Sequence, residues 1–312
     1  MVSRSTRYKI TIAVVVVGAL VGGCFVFGAH AVRELPVYSA SSHGLDLTVV
    51  NGIAKADRVA VVPIAGIVRA VVVPHDMSAS EETALGIKAL ASSSPRIVVV
   101  ISPDHFGHCT KPLCTTQGSF RTFFGDVPIS QRDVAGLLGS SDMVASSGLF
   151  ATEHGVYTIM PFIRHYLPGA QVVPLTVSYG KGDAKERANI VALIRQLLVR
   201  NDVALVISSD FSHYLPLTEA DSMDAQTQTT FCSGESDAIL HLRNPDQSDC
   251  PLCLWVLRQE AELGGFWHPV LLSHSNSATL LGDTSVKRTT SHFAFALSSV
   301  LAPVHSCTRG EK

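Results

Sequence analysis

Charge is scarce in this sequence. Asp, Glu, Lys and Arg make up 16% of the 312 residues and nearly cancel, leaving a net charge of −2. No basic stripe is present, which excludes the electrostatic footprint of a nucleic-acid binder. Internal repeats and long low-complexity tracts are absent. So are GxSxG, P-loop, HExxH and GxGxxG patterns in a fitting strand–turn–helix setting, which argues against a serine hydrolase, an NTPase and a dinucleotide enzyme. What the chain does have is apolar content, at 46%. That suffices for one large core, on the scale of a domain of about 250 residues.

The N-terminus stands apart. Residues 1–9 contain Arg4, Arg7 and Lys9 and no acid, while Ile10 to Val32 carries no charge and only Thr11 and His30 as clearly polar members. Such a run matches the ~20 apolar residues that span a bilayer. Its basic flank predicts a cytoplasmic N-terminus and an extracytoplasmic main domain, anchored by a single pass. Two alternatives are a cleaved signal peptide and a lipoprotein, since Val21-Gly22-Gly23-Cys24 resembles a bacterial lipobox with Cys24 as the lipidated residue. The expected organisation is a basic segment 1–9, a membrane span 10–32, a tether 33–58, a folded domain 59–302 and a disordered tail 303–312.

Six cysteines follow the apolar run: Cys109, Cys114, Cys232, Cys250, Cys253 and Cys307. Their even number permits disulfides in an oxidising compartment, and their spacing does not choose the pairing. Cys109 and Cys114 flank a turn containing Pro112 and are placed to close a small loop. Cys250-Pro251-Leu252-Cys253 is a lone CxxC, weak evidence for zinc without a second pair. Redox chemistry of the thioredoxin kind would want the motif at the start of a helix after a strand, and here an Asp/Ser-rich loop precedes it.

Unbroken Val/Ile/Leu runs predict strands buried on both faces at about 67–73, 96–102 and 203–208, with further strands at 171–177, 268–273 and 292–298. Helical periodicity predicts helices after Ser80, at 153–167 with a restart at Pro161, at 184–200, at 219–243 and at 252–263. The fold class is therefore α/β, a mixed, largely parallel sheet sandwiched by helices and preceded by one N-terminal transmembrane helix. The strand–helix–strand unit 67–102 predicts a parallel pair.

Three of the strands run straight into histidine: Val73-Pro74-His75, Ser102-Pro103-Asp104-His105 and Ser208-Ser209-Asp210-Phe211-Ser212-His213. Ligands of open α/β sheets bind beyond the carboxyl ends of the strands, so these side chains are delivered to one edge. A carboxylate beside an imidazole, as in Asp104-His105 and Asp210…His213, can fix its tautomer and raise its basicity. Glu153-His154 opens a predicted helix and adds a further acid–imidazole pair. Imidazoles with a thiolate or carboxylate suit iron, copper or zinc better than magnesium or calcium.

The order Pro74-His75, SPDHFG, Phe124-Gly125-Asp126-Val127, EHGVYTIMPF, PLTVSYG, ISSDFSHY and Glu219-Ala220 followed by Asp224 resembles the Memo family, whose bacterial members are often labelled AmmeMemoRadiSam system protein B. The resemblance runs over roughly residues 67 to 299. It implies a class III extradiol dioxygenase-like fold, with iron or copper held by His75, His105 and Cys250. It places His213 at the general-base position with Asp210 as its orienter, and matches Glu153 and His154 to the family's acid–histidine pair. It also implies a functional link to AMMECR-like and radical SAM proteins. The expected function is a membrane-tethered metalloprotein with metal-dependent redox activity on an unknown small-molecule or peptide ligand. The alternatives are a non-catalytic partner- or peptide-binding module and an extracytoplasmic metal-handling protein. Departures from the family pattern are Asp76-Met77-Ser78 where Ala-Gly-Tyr is usual, Tyr157 in place of a second acid, Pro251 in place of a glycine, and Thr289-Thr290-Ser291-His292 in the last motif.

Overall fold

The computed structural model describes residues 34–40, 44–60, 64–178, 182–300 and Cys307. The expected membrane span at 10–32, the basic segment before it and all of the C-terminal tail except Cys307 lie outside the described residues. Among the described residues no helix is long and apolar enough to cross a membrane.

In chain order the elements are β1 (Val37–Ser39), α1 (Asp46–Arg58), β2 (Val68–Val73), α2 (Ser80–Ala91), β3 (Ile97–Pro103), β4 (Leu113–Thr115), β5 (Ser119–Thr122), β6 (Gly125–Val127), α3 (Gln131–Ser140) and β7 (Val144–Ser146). There follow α4 (His154–Tyr157), α5 (Met160–Tyr166), β8 (Gln171–Val177), α6 (Ala184–Leu198), β9 (Val203–Ser208), β10 (His213–Leu215) and α7 (Leu217–Ser233). The last elements are α8 (Ser236–Leu240), α9 (Pro251–Gly264), β11 (Pro269–Asn276), α10 (Ser277–Leu281) and β12 (Thr289–Ser298).

A nine-stranded mixed sheet forms the core, in the order β10-β12-β2-β9-β3-β8-β4-β7 with β11 paired to β12. Its centre, β2-β9-β3-β8, is parallel. Antiparallel β12 and β4 flank that centre. Strands β3 and β9 are buried along their whole length, as their unalternated Val/Ile/Leu runs require when helices cover both faces. A separate three-stranded sheet, β1-β5-β6, lies within the same unit.

The parallel pair expected from 67–102 takes a different form. β2 and β3 run parallel but do not touch, because β9 inserts between them and pairs with both. This insertion makes the site: the carboxyl ends of three adjacent strands now deliver His75, Asp210 and His105 side by side.

The predicted tether is partly a helix. Residues 46–58 form α1, whose Val49, Ile53 and Ala56 recur on one face and are buried. Gly52 lets α1 approach α2 closely, since a Cβ there would lie 2.6 Å from the Ser80 carbonyl carbon. Ser80 does not cap α2 with its side chain; Asp76 instead accepts from Ser78 N and starts a 3₁₀ turn that leads into the helix. The expected helix 153–167 breaks into α4 and α5, with Pro161 in the first turn of α5, where its missing N–H has no carbonyl to serve. The expected helix 219–243 breaks at Gly234, which takes a φ of 71°.

Candidate metal centre

His75 leaves β2 after Pro74 and is almost completely buried. Its backbone N–H donates to Asp210 Oδ1 at 3.0 Å, and Asp76 N–H donates to Asp210 Oδ2 at 3.1 Å. Asp210 therefore holds the turn that carries His75, rather than orienting His213 as the sequence suggested. On the ring, Nδ1 lies 3.1 Å from Ser208 Oγ. Nε2 lies 3.1 Å from Asp249 Oδ2 and 3.4 Å from Asp210 Oδ2.

His105 leaves β3 and is fixed from the other side by Glu153, which is fully buried. Glu153 accepts from His105 N at 3.0 Å and Gly155 N at 3.0 Å, and its Oε1 lies 2.6 Å from His105 Nδ1. A carboxylate only accepts, so Nδ1 carries the proton and Nε2 is left facing the cluster. The sequence assigned this role to Asp104. That side chain instead accepts from Cys109 N at 2.6 Å and shapes the following loop. Gly155 is what allows α4 to sit so near: a Cβ there would fall 1.9 Å from Ser102 Oγ and 3.1 Å from His105 Cε1. His154, the next residue after Glu153, lies beside His105 with ring centroids 4.0 Å apart and the ring planes tilted by 36°.

Among the described residues, two sets of donor atoms each lie within 4.8 Å of one another: His75, His105 and His154, and His75, Asp210 and Asp249. Asp249 links them, with Oδ2 3.1 Å from His75 Nε2 and 3.5 Å from His105 Nε2. Yet among the described residues Oδ2, which is buried, accepts no well-aligned hydrogen bond. Its partner Oδ1 is satisfied by Ser209 Oγ at 2.7 Å. A buried carboxylate oxygen flanked by two imidazole nitrogens is a donor set that fits a divalent cation.

Electrostatics point the same way. Burial works against a charge on His105, but its contacts with Asp249 and Glu153 outweigh it and push the imidazole up to about 10. His75 is likewise raised, with burial overcome by the charges of Asp210 and Asp249. Burial opposes the charge on Asp249 as well, but His75 and His105 hold it well below the ordinary carboxylate range. His154 is pushed down to about 4, first by burial and then by the charges of His75 and His105. The carboxylates thus demand positive charge at this point, and without a metal the protons of two imidazoles supply it.

Cys250 does not join the cluster as a thiolate. It is bonded to Cys253. A disulfide sulfur is not the anionic donor that a metal takes from cysteine. Asp249, its neighbour in the chain, provides the anionic group instead. The sequence hid Asp249 in an Asp/Ser-rich loop without periodicity; the only signal was an acid immediately before a cysteine at a helix start.

His213 lies apart from the donor atoms but on the same cleft. A cavity of about 660 Å³ is lined by His75, Asp210, His154 and His213, with Tyr157 and Tyr214 also on its wall. The Phe211 carbonyl accepts from His213 Nδ1, which leaves Nε2 as the proton-accepting atom. His108 stacks on Phe106 and is not among the clustered donors.

A family model described as Memo-like protein matches residues 56–285. A MEMO1 family protein of Caldivirga maquilingensis is 29% identical over 126 residues, 39% of this chain and 44% of that protein. One from Methanopyrus kandleri is 28% identical over 141 residues, 44% of this chain and 50% of that protein. One from Pyrobaculum aerophilum is 26% identical over 198 residues, 61% of this chain and 68% of that protein. The chain spans about half the length of the first two of these relatives.

Proposed function

The chain belongs to the Memo-like protein family, and from that premise we propose that it is a metalloprotein whose resident ion is held by His75, His105 and Asp249, with His154 beside them. The observation that carries this reading is Asp249 Oδ2, buried, without an aligned hydrogen bond among the described residues and flanked by the Nε2 atoms of His75 and His105. Two imidazoles and a carboxylate favour iron over copper, because the soft thiolate that would select Cu(I) is tied up in a disulfide. Such an ion supplies Lewis acidity and redox capacity to a bound small molecule. The chain's own groups do the rest. Glu153 and Ser208 hold the two imidazoles in place, and Asp210 holds the turn that carries His75. His213 takes a proton from a ligand in the 660 Å³ cleft through Nε2.

The location proposed is extracytoplasmic, with the folded domain tethered by the apolar segment 10–32. Three disulfides support an oxidising compartment: Cys109–Cys114, Cys232–Cys307 and Cys250–Cys253.

The test is metal analysis by mass spectrometry on the full chain, purified without metal-binding tags, beside His75→Ala/His105→Ala and His213→Gln. About one iron per chain is expected in the parent and in His213→Gln, with loss in the double variant. Absence of metal from the parent after reloading with Fe(II) or Cu(II) overturns the metalloprotein reading and leaves a histidine-lined binding pocket for a partner or peptide.

A further inference from the structure

The Cys250–Cys253 disulfide differs in setting from the other two. Cys109–Cys114 ties the loop after β3 to β4, five residues on, and Cys232–Cys307 ties Cys307 to α7. Cys250–Cys253 spans the first turn of α9, a helix of 14 residues. The CxxC thus opens a helix, half of what thioredoxin-type chemistry asks for. Cys250 is the N-cap: its Sγ accepts from Cys253 N at 3.3 Å. That N–H, with the positive end of the helix, stabilises negative charge on Cys250 sulfur once the bond is opened.

Access is one-sided. A second cavity of about 620 Å³ lies against this turn, lined by Asp249, Cys250, Pro251, Leu252, His241 and Arg243 among others. Cys250 is 5% exposed and Cys253 is fully buried. An incoming group therefore meets Cys250 and not Cys253. The Arg243 side chain on the cavity wall is 58% exposed and only loosely paired, with Asp246 Oδ2 at 3.7 Å. Its Nη2 donates to the neutral Met223 Sδ at 2.6 Å. Its guanidinium charge is available to a carboxylate.

We propose that Cys250–Cys253 is a redox-active centre that exchanges with small anionic thiols entering this cavity. The thiolate of the incoming molecule attacks Cys250 Sγ. The S–S bond breaks, its electron pair leaves on Cys253 Sγ, which takes up a proton, and a mixed disulfide remains on Cys250. A second molecule's thiolate attacks the sulfur of the bound one. That step releases the symmetric disulfide of the small thiol and leaves Cys250 as a thiolate. Two thiols are oxidised and the protein disulfide is reduced by two electrons. Reduction frees the turn that begins one residue after Asp249, which links the state of the disulfide to the neighbouring carboxylate.

The experiment exposes the full chain to graded ratios of reduced to oxidised glutathione, quenches with acid, alkylates free thiols and maps them by peptide mass spectrometry. The expected result is that Cys250 and Cys253 become alkylated at ratios that leave Cys109–Cys114 and Cys232–Cys307 closed. In Cys253→Ser, oxidised glutathione should leave one adduct within residues 109–307, on Cys250. In Arg243→Ala the reaction should slow with anionic glutathione and stay unchanged with cationic cysteamine. Opening of Cys250–Cys253 only together with the other two disulfides, or an adduct placed elsewhere within residues 109–307, overturns the proposal. An Arg243→Ala effect equal for both thiols overturns the anionic selectivity. The parent titration stands if a variant does not fold. No readout uses a bound metal, so failure here leaves the metal reading intact.

Discussion

Replacing Glu153 by Gln tests how the centre is organised without touching a donor atom. The carboxylate is fully buried and takes three N–H groups: His105 Nδ1 at 2.6 Å and the backbone amides of His105 and Gly155, each at 3.0 Å. Gln has the same shape but only one accepting oxygen. Whichever way its amide is turned, an NH₂ group faces an N–H donor inside the protein, and at least one donor is left unsatisfied. The cost to folding is on the order of 1–3 kcal/mol. The larger consequence is for His105, which loses the anion that holds its proton on Nδ1 and raises the basicity of Nε2. Loss of such a partner lowers metal affinity by roughly 10–100-fold, or about 1.4–2.8 kcal/mol. Competition titration against a chromophoric Fe(II) chelator measures that shift, and thermal melting by circular dichroism reports the folding cost separately. A folded Glu153→Gln protein with parental metal affinity would refute the role given to this residue.

Other consequences are open to direct measurement. Asp249→Asn keeps the volume of the side chain and removes its charge, so metal content should fall far below one ion per chain while the fold persists; elemental analysis with a melting curve decides it. Glu260 on α9 is fully buried, its carboxylate oxygens accept no hydrogen bond among the described residues, and Arg195 Nη1 stands 3.6 Å away. Burial outweighs Arg195 and pushes Glu260 up to about 7 from an ordinary value of 4.5. The folded chain thus holds a proton that the unfolded chain releases, so stability is greatest below about pH 4.5 for this group and is lost as pH rises through about 7, by up to ~3 kcal/mol. Urea denaturation at several pH values should show this slope in the parent and a flatter profile in Glu260→Gln. Gly52→Val forces side-chain atoms into the Ser80 backbone and should cost about 1–3 kcal/mol by the same assay, whereas a free tether at 46–58 would register no change.

The parts of this molecule that sequence reasoning reached share one property: their cause is local. The run Ile97-Val98-Val99-Val100-Ile101 is enough by itself to identify a strand covered on both faces, and a strand that ends in Pro-His or Asp-His announces where its histidine goes. His75 and His105 are legible on that basis, and the Glu153-His154 pair as an acid and an imidazole opening a helix. What escaped depends on distant partners. Strand order is one case, since nothing near Val203–Ser208 says that it lies between β2 and β3. The choice of Glu153 over Asp104 as the partner of His105 is another, made by packing of α4 across 48 residues of chain. Asp249 is a third, because an irregular loop carries no periodicity from which its direction can be inferred. In α1 the signal was present, in Val49, Ile53 and Ala56, but was diluted by the polar residues around it.

The insertion of β9 between β2 and β3 also dictates an order of events during synthesis. When the ribosome has delivered the chain through β3, the two strands that carry His75 and His105 lack the partner that joins them, and each presents an unpaired edge that invites pairing with other chains. That gap closes only after roughly another hundred residues have been made, and Asp249 follows later still. The pocket is consequently a product of folding and not its nucleus, and contacts of such long sequence separation slow the search for the native state. A chain stopped short of Val203 would retain both histidines and still have no means of bringing them together.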